Sequence, residues 1–155
     1  MARISWTVLL LVLAVVTSSA QSESVKAIAR GGYGYVGFEG EASGSISGEI
    51  SLAGKGTAEL MVVLKDVGGI THDAQNEAII FLKSVGKSSL VGNSLTVLGK
   101  GTFQGEDRQI EVTLTDSKAK NQKDGLRVRV LHNGRVEFEH SARVAADIIT
   151  ITRGR

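Results

Sequence analysis

The chain contains neither cysteine nor proline. Without cysteine there can be no disulfide, no lipid-bearing N-terminal cysteine and no thiolate metal site. The fold must rest on ordinary packing. Average usage would give roughly seven or eight prolines in a chain of this size. Proline is one device that guards sheet edges against unwanted pairing, so its absence is permissive for edge-to-edge association.

A surplus of one charge is missing too. There are 18 Lys and Arg against 16 Asp and Glu, and one of the cations, Arg3, lies in a segment expected to be removed. The remainder is close to neutral. A nucleic-acid binder needs a basic face, and nothing here supplies one.

Also lacking is an apolar run long enough to span a bilayer. The N-terminal stretch "MARISWTVLLLVLAVVTSSA" has a single charge and an apolar run from Trp6 to Val16. A span needs roughly 20 residues. Small residues follow at Ser18, Ser19 and Ala20, which completes the pattern of a secretory signal. Residues 1–20 are therefore expected to be cleaved after Ala20, with an uncleaved anchor as the alternative. That places the mature protein outside the cytoplasm, as a secreted, periplasmic or cell-surface chain with no stable membrane span. Residues 21–34, glycine-rich and polar, are expected to form a flexible or edge-lying lead-in. Residues 35–155 suit one domain able to bury its own core.

What the sequence does contain is alternation. From Val36 to Leu64 every even position is apolar or glycine, while most odd positions are Glu, Ser, Thr or Lys. Period-two alternation marks strands with one buried and one wet face. A single strand of that length would run nearly 100 Å at about 3.3 Å per residue, so it must fold back. Its turns must preserve parity, which a loop with an odd number of residues does. "SGS" at 43–45 and "GKG" at Gly54, Lys55 and Gly56 are the expected three-residue turns. They would set Phe38 against Ile50, Ile50 against Leu60 and Ile46 against Leu64.

The segment "GKGT" recurs at Gly99, Lys100 and Gly101, where it is expected to turn a second hairpin opposing Val97 to Phe103. The two similar hairpins would occupy about residues 43–64 and 88–105, with no third copy to suggest a solenoid. A third turn lies at His132, Asn133 and Gly134. A two-residue loop there would set Val130 against Glu137, a mismatch. A three-residue loop with a bulge would match Val130 with Val136, Val128 with Phe138 and Arg129 with Glu137. Between the copies, residues 73–85 are read as a short helix capped by Asp73, with a buried strand over Glu77 to Val85 as the competing reading. The fold class is all-β: an antiparallel sandwich or barrel of about nine short strands with that one short helix.

Candidate chemistry is thin. "VGKSS" at 85–89 lacks the glycine that a phosphate-binding loop needs, since Phe81 occupies its place. His72, His132 and His140 have no metal-ligand spacing, and His140 is expected opposite Leu126. His72 with Asp73 could hold a cation, as could Glu39, Glu41, Glu49 and Glu59 on the wet side of the meander. Tyr33 and Tyr35 among glycines suit either an edge strand or an adhesive surface. The lysines Lys118, Lys120 and Lys123 make a short basic loop. No catalytic constellation, cofactor site or metal site is assigned.

The expected function is that of an exported, non-enzymatic β-domain with a structural, adhesive or self-associating role. Its partners would be further copies or envelope components, joined through strand edges. The alternative is a small-molecule or lipid carrier built as a closed barrel. A secreted hydrolase or isomerase using His72, Asp73 or His140 comes third.

Overall fold

The computed structural model describes residues 24–37, 39–67, 77–119 and 121–154. Among them there are ten strands and no helix. The strands are β1 (Val25–Val36), β2 (Glu41–Ser51), β3 (Thr57–Leu64), β4 (Ala78–Leu82), β5 (Lys87–Val91), β6 (Ser94–Phe103), β7 (Glu106–Thr115), β8 (Asp124–His132), β9 (Arg135–Val144) and β10 (Ile149–Arg153). All ladders are antiparallel, in the order β10-β1-β2-β3-β4-β6-β7-β8-β9, with β5 also on β6. The sheet curls strongly into a half-barrel, and its concave face is the core.

Alternation decides which side chains enter that core. Ile46 and Ile50 of β2, Leu60, Val62 and Leu64 of β3, and Ile110, Val112 and Leu114 of β7 are buried, while the residues between them face outward. Each fully buried Leu or Ile contributes about 1.5–3 kcal/mol from apolar burial. Together they form one contiguous cluster with residues of every strand except β5.

The structure corrects several expectations. The stretch assigned to a helix supplies β4: Ile80 and Leu82 point inward, while Ile79 and Phe81 point out. Residues 73–76 lie outside the described residues. "SGS" is no turn, because β2 runs straight through it. The first connection lies instead at residues 37–40, with Val36 opposite Glu41.

The Gly54–Gly56 turn exists but is longer. Ser51 pairs with Thr57, leaving residues 52–56 as the loop, and Ile50 faces Ala58 rather than Leu60. The register moves by two, so parity survives. Gly99, Lys100 and Gly101 form no turn at all; they sit inside β6, and Val97 faces Val112. The hairpin at 88–105 turns at Gly92 and Asn93, and β6 turns into β7 at Gln104 and Gly105.

At the last hairpin the loop is the two-residue one, Asn133 and Gly134, both at positive φ. The mismatch this would create is removed by a bulge one pair further on. Glu137 is the extra residue, so Leu131 faces Val136 while Val130 faces Phe138. The same shift places His140 opposite Val128, not Leu126.

The lead-in segment is built into the sheet. Residues 25–29 of β1 pair with β10 on one side, and β2 pairs along residues 26–36 on the other. β1 is thus a strand of the sheet from Val25 onward.

Candidate functional site

The half-barrel is drawn together by side chains at two seams. At the first, β10 has its outer edge turned toward the segment joining β7 to β8. The Ile149 amide donates to Asp124 Oδ2 at 3.0 Å, and the Ile151 amide donates to Asp116 Oδ2 at 2.8 Å. Asp116 and Asp124 are the buried charged residues of the described chain. Their other oxygens accept from the Lys118 and Ser117 amides at 3.1 and 3.0 Å. Lys118 Nζ pairs with Asp116 and donates to the Ile151 carbonyl at 2.8 Å. Burial pushes the Asp116 carboxyl up, but the hydrogen bonds from Lys118 and the Ile151 amide outweigh it and hold the group below the usual value. Carboxylates facing N–H donors on all sides act as strand partners for β10, not as cation ligands.

The second seam joins β1 to β9. Tyr33 Oη lies 3.3 Å from His140 Nε2, with the two rings stacked at 5.9 Å. Tyr35 meets the same imidazole edge-on at 4.8 Å, and its hydroxyl donates to the Lys65 carbonyl. Gly44 makes room for this, since a Cβ there would stand 2.6 Å from the Tyr33 ring. Burial raises the pKa of Tyr33, with the neighbouring Tyr35 adding to it. Burial also raises Tyr35, and lowers His140. All three groups are therefore neutral near pH 7, a hydrogen-bonded clasp rather than an activated acid–base set.

The remaining sequence candidates are dispersed. Glu49 stands opposite Glu59 and pairs with Lys26 at 3.1 Å, while Glu39 and Glu41 lie at the far end of β2. Glu39 has its amide on Asp66 Oδ2. His132 closes the last hairpin, far along β8 from the clasp. "VGKSS" runs from the β4–β5 link into β5, and the Gly86 amide donates to the Leu98 carbonyl, so no phosphate nest forms. Lys118 is engaged at the first seam, and Lys120, His72 and Asp73 lie outside the described residues. Arg129 pairs with Glu111 at 2.9 Å, Arg127 with Glu139 at 2.8 Å, and the bulged Glu137 with Arg108 at 2.7 Å. Among the described residues no three potential ligands gather to hold a metal ion.

Two features escaped sequence reasoning. Asp116 and Asp124 flank the polar run "SKAKNQK", which looked like a solvated loop. The convex face of β3 and β4 carries Met61 opposite Phe81 and Val63 opposite Ile79, an apolar patch pointing away from the core. The adjacent apolar letters of Met61-Val62-Val63-Leu64 and Ile79-Ile80-Phe81-Leu82 were the available signal, because a strand wet on one face would alternate. No protein-family model, curated protein or solved structure matches this chain.

Proposed function

We propose that this chain is an exported, non-enzymatic β-domain with a structural or adhesive role at the cell surface or envelope, acting by association of its sheet surfaces. The observation that carries this role is the use made of its chemically capable groups. Asp116, Asp124 and Lys118 hold β10 in place, and His140 is desolvated between two tyrosines. Among the described residues, strand faces and strand edges are left for outside contact. Export is supported by the leader-like first twenty residues. A carrier needs interior room, yet Ile46, Ile50, Leu60, Leu64, Ile80, Leu95 and Ile110 meet in the concave face at 1% exposure or less.

The test is to express residues 21–155 and follow absolute mass by light scattering across a concentration series. Mass rising with concentration is the expected result. A monomer that co-purifies with an apolar ligand would replace this role with the carrier. Deleting residues 21–34 would not test this, because it removes most of β1, a strand held on both sides.

A further inference from the structure

The outer face of β3 and β4 has a symmetry that neither strand shows alone. Residues 59–65 read Glu-Leu-Met-Val-Val-Leu-Lys, and residues 77–83 read Glu-Ala-Ile-Ile-Phe-Leu-Lys. Alternate positions face outward, so β3 presents Glu59, Met61, Val63 and Lys65, and β4 side presents Glu77, Ile79, Phe81 and Lys83. The two strands are antiparallel, with Leu60 opposite Leu82 and Leu64 opposite Ala78. One residue beyond the ladder at each end, Glu59 comes opposite Lys83 and Lys65 opposite Glu77. The second pair is an ion pair at 3.5 Å. The face is thus two apolar rows between two mixed-charge rows, repeated by a local two-fold axis.

Met61 and Ile79 are 40% and 43% exposed, large for apolar side chains at the middle of a sheet. On the β2 side Ser47 and Ser45 stand beside Met61 and Val63, and on the β6 side Thr102 and Gln104 stand beside Phe81 and Ile79.

We infer that this face docks against the same face of a second copy, forming a two-fold sandwich. This deepens the self-association proposed above and rests on it. Charge placement selects the partner. If the dyad runs along the strands, β3 lies over the second copy's β4. Glu59 then meets Lys83, Lys65 meets Glu77, and Met61 and Val63 cover Phe81 and Ile79. If the dyad runs across the strands, each strand lies over its own counterpart. Glu59 then meets Lys65, Glu77 meets Lys83, Met61 meets Val63 and Ile79 meets Phe81. In both arrangements every carboxylate meets an ammonium and every apolar side chain meets another. A two-fold interface demands a self-complementary patch, and this one is self-complementary either way. Sheets stacked face to face stand about 10 Å apart, which side chains of this size fill.

Charge reversal with cross-rescue tests it on residues 21–155. An acidic copy carries Lys65→Glu with Lys83→Glu, and a basic copy carries Glu59→Lys with Glu77→Lys. None of the four positions is in the core. Circular dichroism melts establish that each copy folds. In sedimentation velocity each copy alone should associate roughly a hundredfold more weakly than the wild type, because all facing charges become alike. An equimolar mixture should restore a one-to-one dimer, which damage to the fold could not do. If the wild type associates and both variants associate equally well, this face is not the interface, while self-association by another surface stands. If folded variants stay apart when mixed, the inference also fails. A wild type that is monomeric throughout overturns the self-association itself.

Discussion

The same four residues, Gly-Lys-Gly-Thr, occur at 54–57 and at 99–102, and the protein uses their glycines for opposite reasons. At the first site Gly54 and Gly56 have φ of 62° and 74°, in the left-handed region, and they turn β2 into β3. Nothing would touch a Cβ on Gly54. At the second site the chain is extended, and Gly99 and Gly101 lie within β6. There a Cβ would stand 1.7 Å from the Ser84 carbonyl oxygen and 1.9 Å from that of Phe81. The strand needs glycine because β4 and the link to β5 cross where side chains would be. One site requires glycine's conformational freedom; the other requires only that it has no side chain.

Substitution should separate the two requirements. The largest effect is expected for Gly99→Ala and Gly101→Ala, each costing about 3 kcal/mol or more, since backbone rather than a flexible side chain must move. Next comes Gly56→Ala, at about 2 kcal/mol, combining the left-handed penalty with a Val85 Cβ at 3.1 Å. Gly54→Ala should cost about 1 kcal/mol, from backbone conformation alone. Gly54→Asn should be nearly silent, within about 0.5 kcal/mol, because asparagine tolerates that conformation. Urea midpoints at constant slope would rank them. Equal losses from asparagine at 54 and at 99 would end the distinction.

The seams differ in a related way, one charged and one neutral, and acid should reach them in succession. His140 has a folded pKa below its ordinary 6.5, so the unfolded chain takes the proton first. Its contribution is complete above about pH 6.5 and declines as pH falls toward the folded value. Asp116 is likewise depressed, from an ordinary 3.8, and its contribution is lost only in more acidic solution. His140→Phe should flatten the upper window of the stability profile and leave the lower one. Loss of both windows in that variant would show that the seams are not independent.

Much of this architecture was legible in the letters. Alternation over residues 42–64 gave the inward set, and the register error at the Gly54–Gly56 turn kept it, because that pairing moved by two. Val36, at the head of the run, faces Glu41 and is exposed, since the first connection changes the parity. A turn at His132 to Gly134 was legible, but the three-residue loop expected there does not form: the mismatch that counted against the Asn133-Gly134 loop is absorbed at Glu137, within the strand and not at the turn. The glycines at 99 and 101 misled because a letter does not tell which property of glycine is in use. The four-residue run Ile79 to Leu82 fitted both a helix and a strand apolar on two sides. Tyr33 and His140 are 107 positions apart, beyond the reach of any spacing rule.

The edge of β10 is closed to further strands by side chains. A ladder passed from copy to copy without limit needs two open edges on every copy. Here the outward amides of Ile149 and Ile151 are already held by Asp124 and Asp116, so a strand arriving at that edge finds the donors taken. The other end of the sheet, β9, pairs only with β8 among the described strands. Along this path a strand arriving from outside is refused at β10 and finds only the edge of β9 to join. In a chain without proline, two aspartates thus guard one sheet edge by taking up the donors that an arriving strand would need.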